Sequence, residues 1–318
     1  MRKQLDLTAL TPSNSDEKVG KKPKVLNVIF SIFSSFWKIN RIIISLLVLI
    51  LSLCISACLN QQASTQKIPI KGSATLFFHG GGSSYHAEEH MVKAAENAGV
   101  TDSVIRTEVV DNGQVTLIGK WKKNAKNPIC EVNYQNNRQL DFKKHGIYAT
   151  NVVKALQKNY KIRSINMVGH SLGNISIMYY MLNSVNKKGM PRLNKIVNMA
   201  GHFAGLNFEV PEDIRQPQNL KLDKNGKPNK MNATYRQMAK LRSIYPKNQV
   251  KVLNIIDDIG GKTDETVPNV SSLSLKYIIG NRAKSYRVMK FTGKNARHSR
   301  LHENAQVDKA LIMFLWNK

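Results

Sequence analysis

The 318-residue sequence predicts an α/β domain with a mostly parallel central sheet flanked by helices. From residue 68 onward, short apolar runs typical of strands alternate with patterns typical of helices. One of these units reads strand, glycine-rich turn, helix, with a serine at the centre of the turn. A polar, proline-containing stretch interrupts the alternation once, which predicts an insertion rather than a second domain.

Short apolar runs bounded by turn residues predict the strands. Asp111-Asn112-Gly113 is typical of a hairpin turn and joins two of them. The predicted strands are Ala74–Phe78, Val104–Val110, Gln114–Gly119, Cys130–Tyr134, Ile165–Val168, Lys195–Met199, Val250–Ile256 and Ser285–Phe291.

Helical patterns separate most of these strands. The insertion, residues 201–248, contains four prolines and many lysines, and we expect it to lie over the functional site as a cap. The predicted helices are His86–Ala98, Gly146–Asn159, Asn174–Leu182, Ala233–Ile244 within the insertion, Ser271–Ile279 and Asn304–Trp316.

The N-terminal part predicts export and anchoring. Residues 1–41 form a basic segment, residues 42–58 a transmembrane or lipoprotein signal segment, residues 59–69 a tether, and residues 70–318 the folded domain. The apolar run is just long enough to span a bilayer, and the preceding lysines and arginines favour a cytoplasmic N-terminus. The domain is therefore expected at the outer face of the cytoplasmic membrane.

The apolar run ends in Ile55-Ser56-Ala57-Cys58, which resembles the bacterial lipobox, where the cysteine is lipidated. The 41 residues ahead of the run are long for a signal peptide, so either translation starts further downstream or the segment is an uncleaved anchor. Lipidation at Cys58 and an uncleaved membrane helix both remain open at this point.

The motif Gly169-His170-Ser171-Leu172-Gly173 follows a predicted strand and precedes a predicted helix. This is the context of a nucleophile elbow, in which a sharp turn exposes the serine hydroxyl. The amide of Leu172 would then lie at a helix N-terminus, where it can stabilise an oxyanion. Ser171 is therefore the candidate nucleophile.

A serine nucleophile needs a base and a carboxylate that orients the base. In enzymes with this kind of elbow, the three residues occur along the chain in the order Ser, Asp/Glu, His. The acid and the base each stand in a loop after a late strand. The candidate acid is Asp264, and the candidate base is His298, because each stands in a loop after one of the last strands. The alternative acids are Asp257, Asp258 and Glu265, and the alternative base is His302.

The second oxyanion donor is expected in the loop after an early strand. That loop reads His79-Gly80-Gly81-Gly82, and its glycines allow close approach of the backbone to a substrate. We assign the donor to Gly81, with Gly82 as the alternative. His79 is expected to brace this loop rather than to take part in the chemistry.

These residues together resemble the α/β-hydrolase superfamily over roughly residues 70–317. More narrowly, they resemble the membrane-bound cell-surface hydrolases of Gram-positive bacteria, a lipase-like family of unassigned substrate. The distinctive stretches are Thr263-Asp264-Glu265-Thr266-Val267-Pro268 and His298-Ser299-Arg300-Leu301-His302-Glu303-Asn304. In that family the matching aspartate is usually followed by glycine, and Glu265 departs from this pattern.

The resemblance implies an α/β-hydrolase fold and hydrolysis of an ester or related acyl bond. The predicted function is a cell-surface serine hydrolase acting on a small-molecule or lipid acyl ester through an acyl-enzyme intermediate, without a metal or organic cofactor. An amidase or peptidase would use the same triad. The alternative from another class is a non-catalytic surface lipoprotein that binds anionic wall polymer or lipid.

The charge balance points to anionic partners. Lysine and arginine number 48 against 21 acidic residues, a formal net charge of +27. Charge of this size concerns solubility and partners rather than fold. The sequence contains none of the usual nucleic-acid-binding patterns, so nucleic acid is not an expected partner. The widely spread lysines favour a generally solvated basic surface, and anionic lipid and anionic cell-wall polymer are the candidate contacts.

Overall fold

The computed structural model describes residues 24–60 and 66–318. Residues 1–23 of the predicted basic segment, residues 61–65 of the predicted tether and the side chain of Cys58 lie outside the described part. The chain divides into an N-terminal unit ending at Thr65 and a second unit, Gln66–Lys318.

The N-terminal unit contains the helix α1, Lys24–Asn60. Its 37 residues include the predicted apolar run and extend into the predicted basic segment before it. Among the described residues, α1 is the helix long and apolar enough to cross a membrane, with its apolar window at Ser35–Ser52. Such a helix fits an anchor or a signal segment.

The second unit is built on a main sheet whose strands, within the described residues, run in the order β11-β10-β9-β8-β2-β6-β3-β4. Only the edge pair β3–β4 is antiparallel. The predicted α/β-hydrolase class with a mostly parallel sheet is thereby confirmed. The strands are β1 Ile68–Lys71, β2 Ala74–Phe78, β3 Val104–Val109, β4 Val115–Ile118, β5 Ala125–Lys126, β6 Ile129–Tyr134, β7 Tyr160–Lys161, β8 Ser164–His170, β9 Arg192–Met199, β10 Lys251–Asp258 and β11 Ser285–Thr292.

Helices cover both faces of this sheet because its central strands are apolar on both sides. On β2, Leu76 and Phe78 belong to one buried cluster and Phe77 to the other. The Phe77 side packs against α2 and α9, and the other side against α3 and α4. The helices of this unit are α2 His86–Asn97, α3 Phe142–Asn159, α4 Leu172–Ser184, α5 Ala233–Ala239, α6 Leu241–Ile244, α7 Asn269–Leu273, α8 Leu275–Ile279 and α9 Ala305–Trp316.

A small parallel sheet, in the order β5-β1-β7, lies at the amino ends of the main strands. Its members lead directly into β6, β2 and β8. Two of these strands have only two residues each, too short to leave an alternating pattern in the sequence. The sequence did not predict this sheet.

The predicted helix Ala233–Ile244 is divided into α5 and α6. The amide of Lys240 donates to the carbonyl of Gln237, three residues earlier, and this tighter turn interrupts the α-helix. The predicted helix Ser271–Ile279 is likewise divided into α7 and α8 at Ser274. Periodicity predicted the helical segments but not these breaks.

Candidate active site

The turn after β8 holds Ser171 in a conformation that residues with a side chain rarely adopt. Its φ is 50° and its ψ is −117°, a region that costs about 1–3 kcal/mol outside glycine. The Ser171 amide donates to the Met199 carbonyl at 2.9 Å. The Asn174 side chain donates to the Ser171 carbonyl at 3.0 Å. These bonds fix the serine where β8 meets α4.

Close backbone contacts require the two glycines that flank the serine. A Cβ atom at Gly173 would lie 2.1 Å from the carbonyl oxygen of Phe78. One at Gly169 would lie 2.8 Å from the amide nitrogen of Asn174. Only residues without a side chain let β2, β8 and α4 meet this closely.

Among the described residues, the backbone amides of Leu172 and Gly81 have no hydrogen-bond partner. Leu172 is the first residue of α4, where helix amides are unpaired. Cβ atoms added at Gly81 and Gly80 would lie 3.3 Å from the Leu172 side chain and 3.2 Å from Ser171. The alternative donor, Gly82, already donates to a carbonyl at 2.9 Å. Both unpaired amides lie beside the serine, as an oxyanion hole requires.

His79 fixes the orientation of the Gly80–Gly81 peptide. Its Nε2 accepts a hydrogen bond from the Tyr134 amide at 3.1 Å, so the ring proton is on Nδ1, which donates to the Gly80 carbonyl at 2.8 Å. Burial lowers the pKa of His79, which keeps the ring neutral. In a trans peptide the C=O and N–H groups point in opposite directions. The Gly81 N–H therefore points away from His79.

Asp264 and His298 form a direct pair. The His298 Nδ1 lies 2.8 Å from Asp264 Oδ2. The other carboxylate oxygen accepts the amides of Thr266 at 2.9 Å and Val267 at 2.6 Å. Asp264 is 1% exposed. Its carboxylate is thus held in place on one side by the loop and on the other by the imidazole.

The rival carboxylates have other surroundings. Asp258 pairs with Lys290 at 2.6 Å, and this contact lowers the pKa of Asp258. Glu265 pairs with Arg297 at 3.2 Å on the exposed surface. Asp257 is buried, and neither of its carboxylate oxygens has a partner among the described residues. Asp264 is the carboxylate that contacts His298.

Glu265 has a φ of 82°, a conformation that favours glycine. This backbone requirement explains why glycine usually follows the aspartate in the family that the sequence resembles. The glutamate side chain is accommodated because it points to the surface, where it meets Arg297. The departure from the pattern therefore leaves the Asp264 carboxylate in place.

The rival base, His302, lies against His170 rather than against an acid of the site. The ring centroids of His170 and His302 are 5.1 Å apart in an edge-on arrangement. The Nδ1 atom of His302 is buried without a partner among the described residues. Burial lowers the pKa of His302. His298, the base that the sequence favoured, is the histidine that contacts Asp264.

His298 lies beside the serine turn. His170 donates from Nε2 to the His298 carbonyl at 3.1 Å, and the two ring centroids are 4.7 Å apart. Within the described residues, no hydrogen bond joins the Ser171 hydroxyl to the His298 imidazole. Such bonds are often long in unliganded enzymes and tighten when substrate binds. The structure brings Ser171, Asp264 and His298 to the carboxyl end of the sheet and joins the last two directly.

Further buried histidines keep the surroundings of His298 neutral. Burial, and after it the proximity of His298, lowers the pKa of His202 to about 4. Burial also lowers the pKa of His170 well below its ordinary value. His202 follows β9 at the start of the predicted insertion, so this segment reaches the site. Neutral neighbours leave the Asp264 carboxylate without a competing cation.

Asp257 gives the folded state a pH dependence that a single variant can test. Burial, and after it the carboxylate of Asp264, raises the pKa of Asp257 to about 8. The unfolded value is about 3.9. Its contribution to stability is therefore full below about pH 4 and is lost as the pH rises toward 8. We expect the stability advantage of Asp257→Asn over wild type to grow by up to about 4 kcal/mol between about pH 5 and 8.

Denaturant unfolding at several pH values measures this effect. Asp258→Asn is the matched control, because its pKa is lowered and its titration lies below this pH range. The difference in free energy of unfolding between Asp258→Asn and wild type should stay constant above about pH 5. Parallel stability curves for wild type and Asp257→Asn would contradict the assignment.

Several contributors were not identified from the sequence. His202 and Asn174 reach the site through tertiary packing, and no motif or spacing marks them. Within residues 24–60 and 66–318, no group of three His, Cys, Asp or Glu side chains is placed to bind a metal ion.

Comparison with known proteins places the chain among hydrolases. The model of a family described as alpha/beta hydrolase of unknown function (DUF915) matches residues 62–318. A gene product of Listeria innocua has a similar structure, with 23% identity, a TM-score of 0.67, and coverage of 80% of this chain and 95% of that one. A protein described as a cell surface hydrolase from Lactobacillus plantarum follows, with 19% identity, a TM-score of 0.62, and coverage of 80% and 93%. No curated protein matches the chain.

Proposed function

Because this chain belongs to the alpha/beta hydrolases of unknown function designated DUF915, we propose that it is a cell-surface serine hydrolase of an ester or related acyl bond. The observation that carries the proposal is the buried Asp264–His298 pair, 2.8 Å apart, at the end of the sheet where Ser171 occupies a strained turn. A base that is oriented by a carboxylate and lies beside a serine hydroxyl is the arrangement that activates serine.

In the proposed reaction, His298 removes the proton of Ser171 as the hydroxyl attacks the acyl carbonyl. The amides of Leu172 and Gly81 stabilise the developing oxyanion. His298 then gives the proton to the leaving alcohol, and an acyl-enzyme remains. Water repeats the sequence and releases the acid, while Asp264 holds the imidazole in the required tautomer.

We further propose that α1 anchors the protein at the outer face of the cytoplasmic membrane, either as an uncleaved helix or through lipidation of Cys58. The apolar window Ser35–Ser52 and the basic residues that precede it support this orientation. The similar protein from Lactobacillus plantarum is described as a cell surface hydrolase, which agrees with the placement.

A fluorophosphonate probe tests the nucleophile directly. The probe reacts with activated serines, and mass spectrometry of the digested protein identifies the labelled residue. We expect the label on the peptide containing Ser171. Absence of labelling, together with no hydrolysis of short-chain p-nitrophenyl esters, would favour the non-catalytic binding protein. Parallel assays with matched amides separate an esterase from an amidase.

The two histidines of the loop before α9 give a prediction about the base. His298→Ala should lower kcat/KM for an ester by about 10³-fold or more, because serine loses its base. His302→Ala should retain activity within about tenfold, since it contacts His170 rather than Asp264. Steady-state kinetics of both variants measure the contrast. Equal losses would remove the distinction between them.

A further inference from the structure

A pocket of about 450 Å³ lies at the amino end of the sheet, next to the small sheet β5-β1-β7. Its walls come from the segment leading into β1, the segment between β4 and β5, and β7. Register fixes these walls, since Pro69 of β1 pairs with Lys161 of β7 and Ile70 pairs with Ala125 of β5. The pocket is therefore built on paired backbone.

Lysines dominate this pocket. Five of its nine lining residues are lysines and none is acidic: Lys67, Lys120, Lys122, Lys123 and Lys161. Lys122 pairs with Asp102 at 3.3 Å, and the other four have no ion pair among the described residues. Several unpaired ammonium groups around one cavity repel one another and raise the local potential for anions.

The base of the pocket is rigid and apolar. Trp121 is fully buried, and its ring packs against Tyr160 in a tilted arrangement at a centroid distance of 4.5 Å. Its indole nitrogen donates to the Ile129 carbonyl at 2.8 Å. The backbone amide of Trp121 donates a hydrogen bond to the Tyr160 hydroxyl at 2.9 Å. The lysines on either side of Trp121 are thus held on a fixed segment.

Only a short stretch of chain separates α1 from the pocket. The helix ends at Asn60, and Gln66 already lines the pocket. Six peptide links reach at most about 20 Å when fully extended. In an anchored protein, a membrane surface at the end of α1 would therefore lie within about this distance of Gln66. An anionic bilayer surface is within reach, whereas the cell wall need not be.

We infer that this lysine pocket binds the phosphate groups of anionic lipid headgroups and holds the amino end of the sheet against the membrane. The inference rests on the proposed anchoring at the outer face. Ser171 follows the opposite end of β8, a seven-residue strand of about 23 Å. The candidate active site then faces away from the bilayer and receives its acyl substrate from the outer side.

Lysine methylation of the full chain, reconstituted into vesicles, tests this contact. One preparation contains phosphatidylcholine alone, and the other contains phosphatidylglycerol as well. Mass spectrometry follows each lysine. On phosphatidylglycerol we expect Lys120, Lys123 and Lys161 to react about fivefold more slowly. Lys143 and Lys262, which are exposed near the carboxyl end of the sheet, should react equally on both vesicles.

A charge-matched pair of triple variants separates the pocket from general basicity. Lys120→Gln/Lys123→Gln/Lys161→Gln should abolish the lipid-dependent protection of the remaining Lys67 and Lys122. The control, Lys143→Gln/Lys262→Gln/Lys294→Gln, changes exposed lysines near the carboxyl end of the sheet. It carries the same change in net charge and should keep that protection. Ester hydrolysis should be unchanged in the pocket variant, so that this test and the test of the proposed function fail independently.

Three outcomes would overturn the inference. One is equal methylation of the pocket lysines on both vesicles. Another is protection of Lys143 and Lys262 instead, which would place the candidate active site on the bilayer. The third is protection on phosphatidylcholine vesicles by added poly(glycerol phosphate) but not by phosphatidylglycerol, which would assign the pocket to a wall polymer. A chain that does not float with either vesicle overturns the proposed anchoring and the inference with it.

Discussion

Ser171→Ala should lower kcat/KM for an ester substrate by about 10⁴-fold or more. The substitution removes the proposed nucleophile and leaves both unpaired amides and the Asp264–His298 pair in place. Any remaining rate would come from water attack assisted by the oxyanion hole and by substrate binding. Steady-state hydrolysis of p-nitrophenyl esters measures the loss, and the fluorophosphonate label should disappear with it.

The thermal stability of this variant is the control for folding. A φ of 50° strains the backbone of alanine as much as that of serine, so the melting temperature should change little. A variant that melts like wild type and keeps more than about a tenth of its activity would exclude Ser171 as the nucleophile. A large loss of stability would instead show that the hydroxyl has a structural role.

Gly173→Ala should lower the free energy of unfolding of the domain by at least about 3 kcal/mol. The new Cβ would lie 2.1 Å from the Phe78 carbonyl oxygen and 2.9 Å from the His79 carbonyl oxygen. Both atoms belong to the backbone of β2 and the loop that follows it, so relief requires α4 to move away from the sheet. For a domain of this size, about 3 kcal/mol lowers the melting temperature by about 6–12 °C.

Gly81→Ala is the matched control for the steric argument. Its Cβ would meet the flexible end of the Leu172 side chain at 3.3 Å, a contact that a small side-chain shift relieves. We expect a loss below about 1 kcal/mol. Circular dichroism during heating in detergent compares the two variants with wild type. Similar melting temperatures for Gly173→Ala and wild type would show that β2 and α4 can separate at low cost.

Features that depend on local order were predictable from the sequence. The alternation of strands and helices predicted the fold class, which the structure confirms, because each element leaves its own periodicity. The motif around Ser171 was recognisable because the turn needs small residues at fixed positions. The chain order of Ser171, Asp264 and His298 follows the order of the strands that carry them.

Features that depend on tertiary contacts were not predictable in the same way. His302 follows His298 by four positions in the same loop, and the sequence favoured His298 only through its position nearer the strand end. The contact with Asp264 that distinguishes the two is tertiary. The choice of Asp264 over Asp257 depends on which carboxylate faces the imidazole, and this follows from the path of one loop. The two-residue strands β5 and β7 exist through pairing with β1, so their sequences carry no pattern of their own.

The conformation of Ser171 also has an evolutionary consequence. Glycine adopts this backbone geometry without the penalty that any other residue incurs. If the hydroxyl were not needed, replacement of Ser171 by glycine would therefore stabilise the fold, and selection for stability alone would favour that replacement. Serine at this position would be maintained against such drift only while its oxygen contributes to fitness, as the proposed nucleophile does.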